Sequence, residues 1–130
     1  MELLLFLLRG PAALEGDWER IGDDFAGCVV RVGPLGDGLA GRIVRLPAAM
    51  AEAGWNEGDV KWRDIEPCGT ALWRVRDVRK HFDTRSRSVV GIDTRELHLS
   101  VAGEKLRLHS DASPIFPDQR WRRIGRHSGA

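Results

Sequence analysis

The sequence predicts a single, mainly antiparallel β domain. At 130 residues and 14.5 kDa, the chain has the length of one ordinary domain that can bury a core without a metal or a disulfide framework. Glycines recur every few residues between short apolar stretches, which is the spacing of turns between the strands of a sandwich or barrel. Several stretches also alternate apolar with polar residues. These observations together predict one all-β domain over residues 1–130.

The first half of the chain combines a hairpin pattern with one helix pattern. Strands are predicted at residues 18–21, 28–32, 39–46 and 59–65, the middle two joined by a glycine-rich loop. Pro47 then opens an alanine-rich segment that Gly54 ends, which predicts one short helix at 47–53. The apolar run at 2–8 fits either a helix or an edge strand, and its leucines do not decide between them.

The second half carries the clearest strand pair. Strands are predicted at residues 71–77, 86–93, 96–101, 104–109 and 119–124. A tight turn centred on Ala102-Gly103 would join the third and fourth of these. The alternation then directs one set of side chains to the core, namely Leu97, Leu99, Leu106 and Leu108. It directs the other set to solvent, namely His98, Arg107 and His109.

Two short motifs stand at the ends of this strand series. Gly16-Asp17-Trp18 opens the first predicted strand after a hydrophobic segment, and Arg120-Trp121-Arg122 lies on the last one. In this arrangement the chain resembles the calycins, the superfamily of lipocalins and fatty-acid-binding proteins. The resemblance implies a lipocalin-like, antiparallel up-and-down β-barrel of about eight strands. It also implies that Trp18 seals one end and that Arg122 or Arg120 packs over its ring, with Gly16, Trp18 and Arg122 as the structural signature.

The function that this resemblance implies is non-catalytic binding of a small, partly apolar ligand, without a cofactor. An eight-stranded barrel is either filled by side chains or just wide enough for one small ligand. Five tryptophans are many for this length, and they could line a pocket or simply fill the interior. The residues expected to contact a ligand are Trp55, Trp62, Trp73 and Val75. They would line a cavity of about 300 Å³ or more together with Val30 and Ile43, with Trp55 at its mouth.

The alternative function is a protein–protein interaction module or an accessory subunit of a bacterial assembly. A protein partner or a second copy would then contact the apolar run at 2–8 or the C-terminal half, which is net basic where the N-terminal half is net acidic. An enzyme is the third possibility. His81 could pair with Asp83 as a general base, but no nucleophile motif stands nearby and no catalytic template is complete.

Several other classes are disfavoured. Cys28 and Cys68 show no metal or redox spacing, and His98 and His109, diagonal on one face, lack a third ligand, so no metal site is expected. Acidic residues interrupt the basic stretches and the pI is near 7.9, so no nucleic-acid partner is expected on charge grounds. The N-terminal apolar run is about six residues, whereas a membrane span needs roughly twenty, so no span and a cytoplasmic location are expected.

Overall fold

The structure is a computed structural model that describes residues 13–110 and 119–125, and their strands form a closed antiparallel barrel. The strands are β1 (Gly16–Ile21), β2 (Val29–Leu35), β3 (Gly38–Arg45), β4 (Val60–Gly69), β5 (Leu72–Asp83), β6 (Ser88–Ala102), β7 (Lys105–His109) and β8 (Gln119–Gly125). A short helix, α1 (Ala48–Glu52), connects β3 to β4. Each strand pairs with the next, and β8 returns to pair with β1. The predicted fold class is therefore confirmed.

The apolar run at residues 2–8, which was the expected oligomer contact, lies outside the described residues. No helix within the described ranges combines the length and the apolar character that crossing a membrane requires.

Strand β6 is longer than predicted. The segments 86–93 and 96–101 were expected to be separate strands, but they belong to one strand of 15 residues. The chain continues through Thr94 and Arg95 because these residues pair with Val78 and Asp77 of β5. Neither is a glycine or proline, so nothing in the local sequence interrupts the ladder.

The β6–β7 turn is displaced by one residue from its predicted centre. Ala102 pairs with Lys105, so the turn consists of Gly103 and Glu104 rather than Ala102 and Gly103. Gly103 has a φ of 63°, which suits the first position of a type II′ turn, where glycine is favoured. Because the displacement moves each cross-strand partner by two positions, the faces of the two strands do not change.

The inward face of this hairpin is as predicted, and the outward face is not entirely so. The four leucines are all buried in the core, namely Leu97, Leu99, Leu106 and Leu108. His109 was expected to face solvent, but it is 2% exposed. Alternation fixes the face of the sheet to which a side chain belongs, and it does not say whether another part of the protein covers that face.

Gly41 allows β3 to approach the core closely. A Cβ atom added there would lie 2.6 Å from a methyl carbon of Val30 and 2.8 Å from the ring of Trp62. We expect Gly41→Ala to lower the free energy of unfolding by about 1–3 kcal/mol, because the indole and the valine must shift in a packed core. Urea unfolding followed by tryptophan fluorescence measures this loss.

Gly33 provides the matched control for this substitution. It lies on β2, and an added Cβ would meet no atom within 4 Å. Gly33→Ala should therefore change the unfolding free energy by less than about 0.5 kcal/mol. Equal midpoints for the two variants would contradict the close packing of Trp62 on Gly41.

Candidate functional site

One end of the barrel is closed by Trp18. Its side chain is fully buried, and its Nε1 donates a hydrogen bond of 2.9 Å to the carbonyl oxygen of Leu14. The guanidinium of Arg123 lies over the indole, 4.2 Å from the ring centroid. Arg123 also donates to the carbonyl oxygens of Glu15, at 2.9 Å, and Ala13. The expected burial of Trp18 under an arginine of the last strand is therefore confirmed.

The arginine itself was assigned wrongly. Arg122 was expected over the indole, but its side chain is exposed and donates to the Glu19 carboxylate at 2.7 Å on the outer surface. Side chains alternate along β8, so Trp121 and Arg123 share the inward face while Arg120 and Arg122 point outward. The arginine on the face of Trp121 is the one that can reach the core.

The tryptophans of the strands fill the barrel interior. Trp18, Trp62, Trp73 and Trp121 are each 0–2% exposed, and the rings of Trp62 and Trp121 pack edge to face with centroids 4.9 Å apart. Val75, at 1%, belongs to the same cluster.

The packing of the interior argues against the expected ligand cavity. A ligand-sized cavity would give its lining side chains a surface that a water molecule could touch. Trp62, Trp73, Val75, Val30 and Ile43 were expected to line it, and each of them is at most 2% exposed. The structure brings these five residues together as packed core, so the expected open interior is not found among them.

Trp55 does not lie at the opening of a cavity, as was expected. Its ring was expected in a loop with partial exposure, but it is 5% exposed and packs on the core. The ammonium groups of Lys61 and Lys80 lie 5.1 Å and 5.0 Å from its ring centroid. Cations at this distance from an indole face are attracted to it. The two lysines therefore fix Trp55 against the barrel.

A buried polar network lies beside these rings, and no motif in the sequence indicates it. Lys61 Nζ donates to Asp77 Oδ1 at 2.6 Å and to the carbonyl oxygen of Val78 at 2.8 Å. Gln119 Nε2 donates to the other oxygen of Asp77 at 3.3 Å, and Trp121 Nε1 donates to Gln119 Oε1 at 3.2 Å. Burial lowers the pKa of Lys61, and the charge of Asp77 opposes that change. The network joins β4, β5 and β8 in a space closed to solvent.

The remaining histidine and cysteine candidates form no catalytic or metal centre within the described ranges. His98 and His109 lie directly opposite each other, rather than diagonally, with ring centroids 6.0 Å apart. No group of three or more His, Cys, Asp or Glu side chains in the described part of the chain could hold a metal ion. Burial raises the pKa of the Cys28 thiol to about 11, while Cys68 is a free thiol at the surface.

His81 pairs with a different carboxylate from the one expected. Its Nε2 lies 3.0 Å from Asp93, to which Arg79 also donates at 3.0 Å. Asp83 instead accepts hydrogen bonds from the backbone of Arg85 and the hydroxyl of Ser86, and the Arg85 bond in particular lowers its pKa. The Asp83 contacts order the β5–β6 turn, whereas His81 and Arg79 bond Asp93 across the two strands.

The far parts of β5 and β6 form a two-stranded arm, residues 78–83 and 88–94. β4 pairs with β5 only between Leu72 and Asp77, and β7 pairs with β6 only from His98 onward. Within residues 13–110 and 119–125, the two segments of the arm therefore pair only with each other. Each of them has one edge that no described strand occupies.

The two sides of the arm differ in what covers them. On the β5 side, Lys80 Nζ donates to the carbonyl oxygen of Gly54 at 2.9 Å and to Asp59 at 2.7 Å, which attaches the arm to the segment after α1. On β6, Val90 and Ile92 are 67% and 63% exposed. Val90 is the extra residue of a bulge, because Val89 pairs with Phe82 and Gly91 pairs with His81. The arm thus presents an apolar, unpaired strand edge.

The closed barrel of eight antiparallel strands, with a buried tryptophan under an arginine of the last strand, is consistent with a calycin-like fold. No protein-family model, curated protein or solved structure matches the chain.

Proposed function

We propose that this chain is a divergent calycin-type barrel that acts as a non-catalytic protein-interaction module. The contact of Arg123 with Trp18 and with the backbone before β1 supports the relation to calycins, because it closes the barrel end as that resemblance implies. The filled interior counts against a ligand carried inside the barrel. An interaction module needs only an exposed surface suited to a protein partner.

The observation that carries this proposal is the outer β6 edge of the arm, with which no strand among the described residues pairs. A strand edge presents unpaired N–H and C=O groups, and another strand can pair with them. Native barrels have no such edges, since closure removes them. Here the barrel is closed, yet residues 88–93 leave it and expose Val90 and Ile92 beside backbone that no described strand pairs with on that side. The edge is therefore suited to bind an extended segment.

The partner that best fits this edge is a second copy of the chain. Antiparallel pairing of two β6 edges about Val90 is a twofold contact, in which the same edge of each copy supplies the strand that the other lacks. The same pairing brings the two Val90 side chains together at its centre. The two exposed valines supply most of the attraction.

Sedimentation velocity over a range of protein concentrations tests this proposal. A contact limited to one strand edge is small, so we expect a weak dimer with a dissociation constant of roughly micromolar or above. Val90→Lys should raise that constant at least tenfold, because two ammonium groups would meet at the centre of the interface.

Leu35→Lys is the matched control. Leu35 is also an exposed apolar residue, at 43%, but it lies beside the β2–β3 turn rather than on the arm. It should leave dimerisation unchanged. Weak specific contacts have dissociation constants on the order of several hundred micromolar at most. A chain that is still monomeric at that concentration would contradict self-association through the arm. Equal effects of the two lysine variants would also contradict it.

A further inference from the structure

The outward face of β7 and β8 carries four cationic side chains at adjoining positions. Lys105 pairs with Arg122, and Arg107 pairs with Arg120. The residues between them, at 106 and 121, point into the core, so all four cations share the outer surface. Directly opposed side chains lie about 5 Å apart, and alternate residues of one strand lie about 7 Å apart. These four side chains, here called the cationic quartet, therefore occupy the corners of a small rectangle.

The chain does not neutralise the cationic quartet. Three of its members form no ion pair within the part of the chain that the structure describes. The fourth, Arg122, donates to Glu19 at 2.7 Å, and Glu19 is shared with Arg45, 3.7 Å away. Like charges at directly opposed positions of a sheet are unfavourable. A bound polyanion would remove that cost.

The neighbours of the quartet limit the kind of polyanion that it can bind. They are Ser100 and Ala102 on β6, and Glu19 and Ile21 on β1. None of these four residues has an aromatic ring, and single-stranded nucleic acids bind through base stacking on such rings. The Glu19 carboxylate would also repel a long chain of phosphates that continued across β1. A short polyanion that stays within the rectangle therefore fits this surface better.

The quartet has two halves that face different surroundings. Lys105 and Arg107 line a half-open groove of about 580 Å³ together with Ser100. Arg120 lies toward β1, because its guanidinium covers Gly22, where an added Cβ atom would lie 2.5 Å from Nη2. A single phosphate would engage one half, whereas a diphosphate presents one phosphate group to each.

We propose that the cationic quartet binds a diphosphate group, either free or carried by a small organic molecule. Lys105 and Arg107 bind one phosphate and Ser100 donates a hydrogen bond to it, while Arg120 and Arg122 bind the other. The groove beside the first phosphate has room for the organic part of a diphosphate ester. The site uses neither the barrel interior nor the arm, so it is independent of the proposed self-association.

Isothermal titration calorimetry in magnesium-free buffer tests the site. Pyrophosphate should bind saturably at one molecule per chain, and at least tenfold more tightly than inorganic phosphate or AMP, because a monophosphate engages only one half of the quartet. ADP identifies the source of the diphosphate. Tighter binding of ADP than of pyrophosphate would show that the site takes a diphosphate ester, and the reverse order would show that it takes the free anion.

Arg107→Ala and Arg120→Ala each remove one member from a different half, and each should weaken pyrophosphate binding roughly tenfold. Lys105→Gln should weaken it to a smaller extent, and because Lys105 is exposed, this variant tests the site even if an arginine variant folds poorly. Arg42→Ala is the matched control, since Arg42 is an exposed arginine on β3, away from the quartet, and it should leave binding unchanged.

Three results would overturn the proposal. They are the absence of saturable pyrophosphate binding, equal affinities for phosphate and pyrophosphate, and equal losses for the Arg42 and Arg107 variants. Val90→Lys should leave pyrophosphate binding unchanged, which separates this site from the arm.

Discussion

Trp18→Ala is expected to lower the free energy of unfolding by about 3–5 kcal/mol, the range for removing a large aromatic side chain from a packed core. The indole is fully buried, so its loss leaves a cavity at the closed end of the barrel. It also removes the surface on which the Arg123 guanidinium lies and the hydrogen bond to Leu14. A loss of this size is a large share of the roughly 5–15 kcal/mol that stabilises an ordinary domain.

Equilibrium unfolding in urea, followed by far-UV circular dichroism, measures this loss without relying on the tryptophan signal. A matched pair of arginine variants tests the contact from the other strand. Arg123→Ala should cost clearly more than Arg122→Ala, because only Arg123 lies over the indole and bonds the backbone before β1. If Trp18→Ala costs less than about 1 kcal/mol, the closed end does not depend on this ring.

Asp77→Ala is expected to destabilise the barrel by about 3–5 kcal/mol, because it leaves the ammonium of Lys61 buried without a counter-charge. Both side chains of the pair are almost fully shielded from solvent. The substitution also removes the acceptor of the Gln119 amide. Asp93→Ala is the control, since Asp93 is an exposed carboxylate that contacts Arg79 and His81, and its loss should cost about 1 kcal/mol or less.

A double variant separates the net contribution of the pair from the cost of breaking it. Replacing both members by apolar residues, Lys61→Met with Asp77→Leu, removes both buried charges at once and should cost much less than Asp77→Ala alone. Chemical denaturation of the single and double variants at pH 7 gives the comparison. A double variant as unstable as the single one would show that the charges themselves stabilise the core.

The strand pattern of this barrel was readable from sequence because alternation is a local property. Leu97, Leu99, Leu106 and Leu108 reached the core although the turn between their strands was misplaced, since the error preserved the faces. The same rule, applied along β8 from Trp121, selects Arg123 rather than Arg122. Alternation therefore predicts Arg123, whereas Arg122 lies on the outward face of β8.

Other features depend on how distant strands meet. Whether indoles line a cavity or fill the barrel depends on the volume that eight strands enclose. Trp62 fills this volume by packing onto Gly41 and Trp121, which belong to other strands.

Asp77 follows Trp73 and Val75 at alternate positions, so its inward direction was predictable. The burial of Lys61 beside Trp62 was not, because irregular pairing of β3 with β4 places both neighbours inside.

The pairing of β8 with β1 also governs when this barrel can form during synthesis. Arg122 and Glu19, which meet across these two strands, are 103 residues apart in the chain. A ribosome that has made β1 to β7 has therefore produced a curved sheet with two open edges, one on β1 and one on β7. Such edges can pair with other chains, and contacts of this sequence separation form slowly. The nascent protein is thus most prone to aggregate just before β8 emerges, and chaperone binding during that interval would favour closure over association.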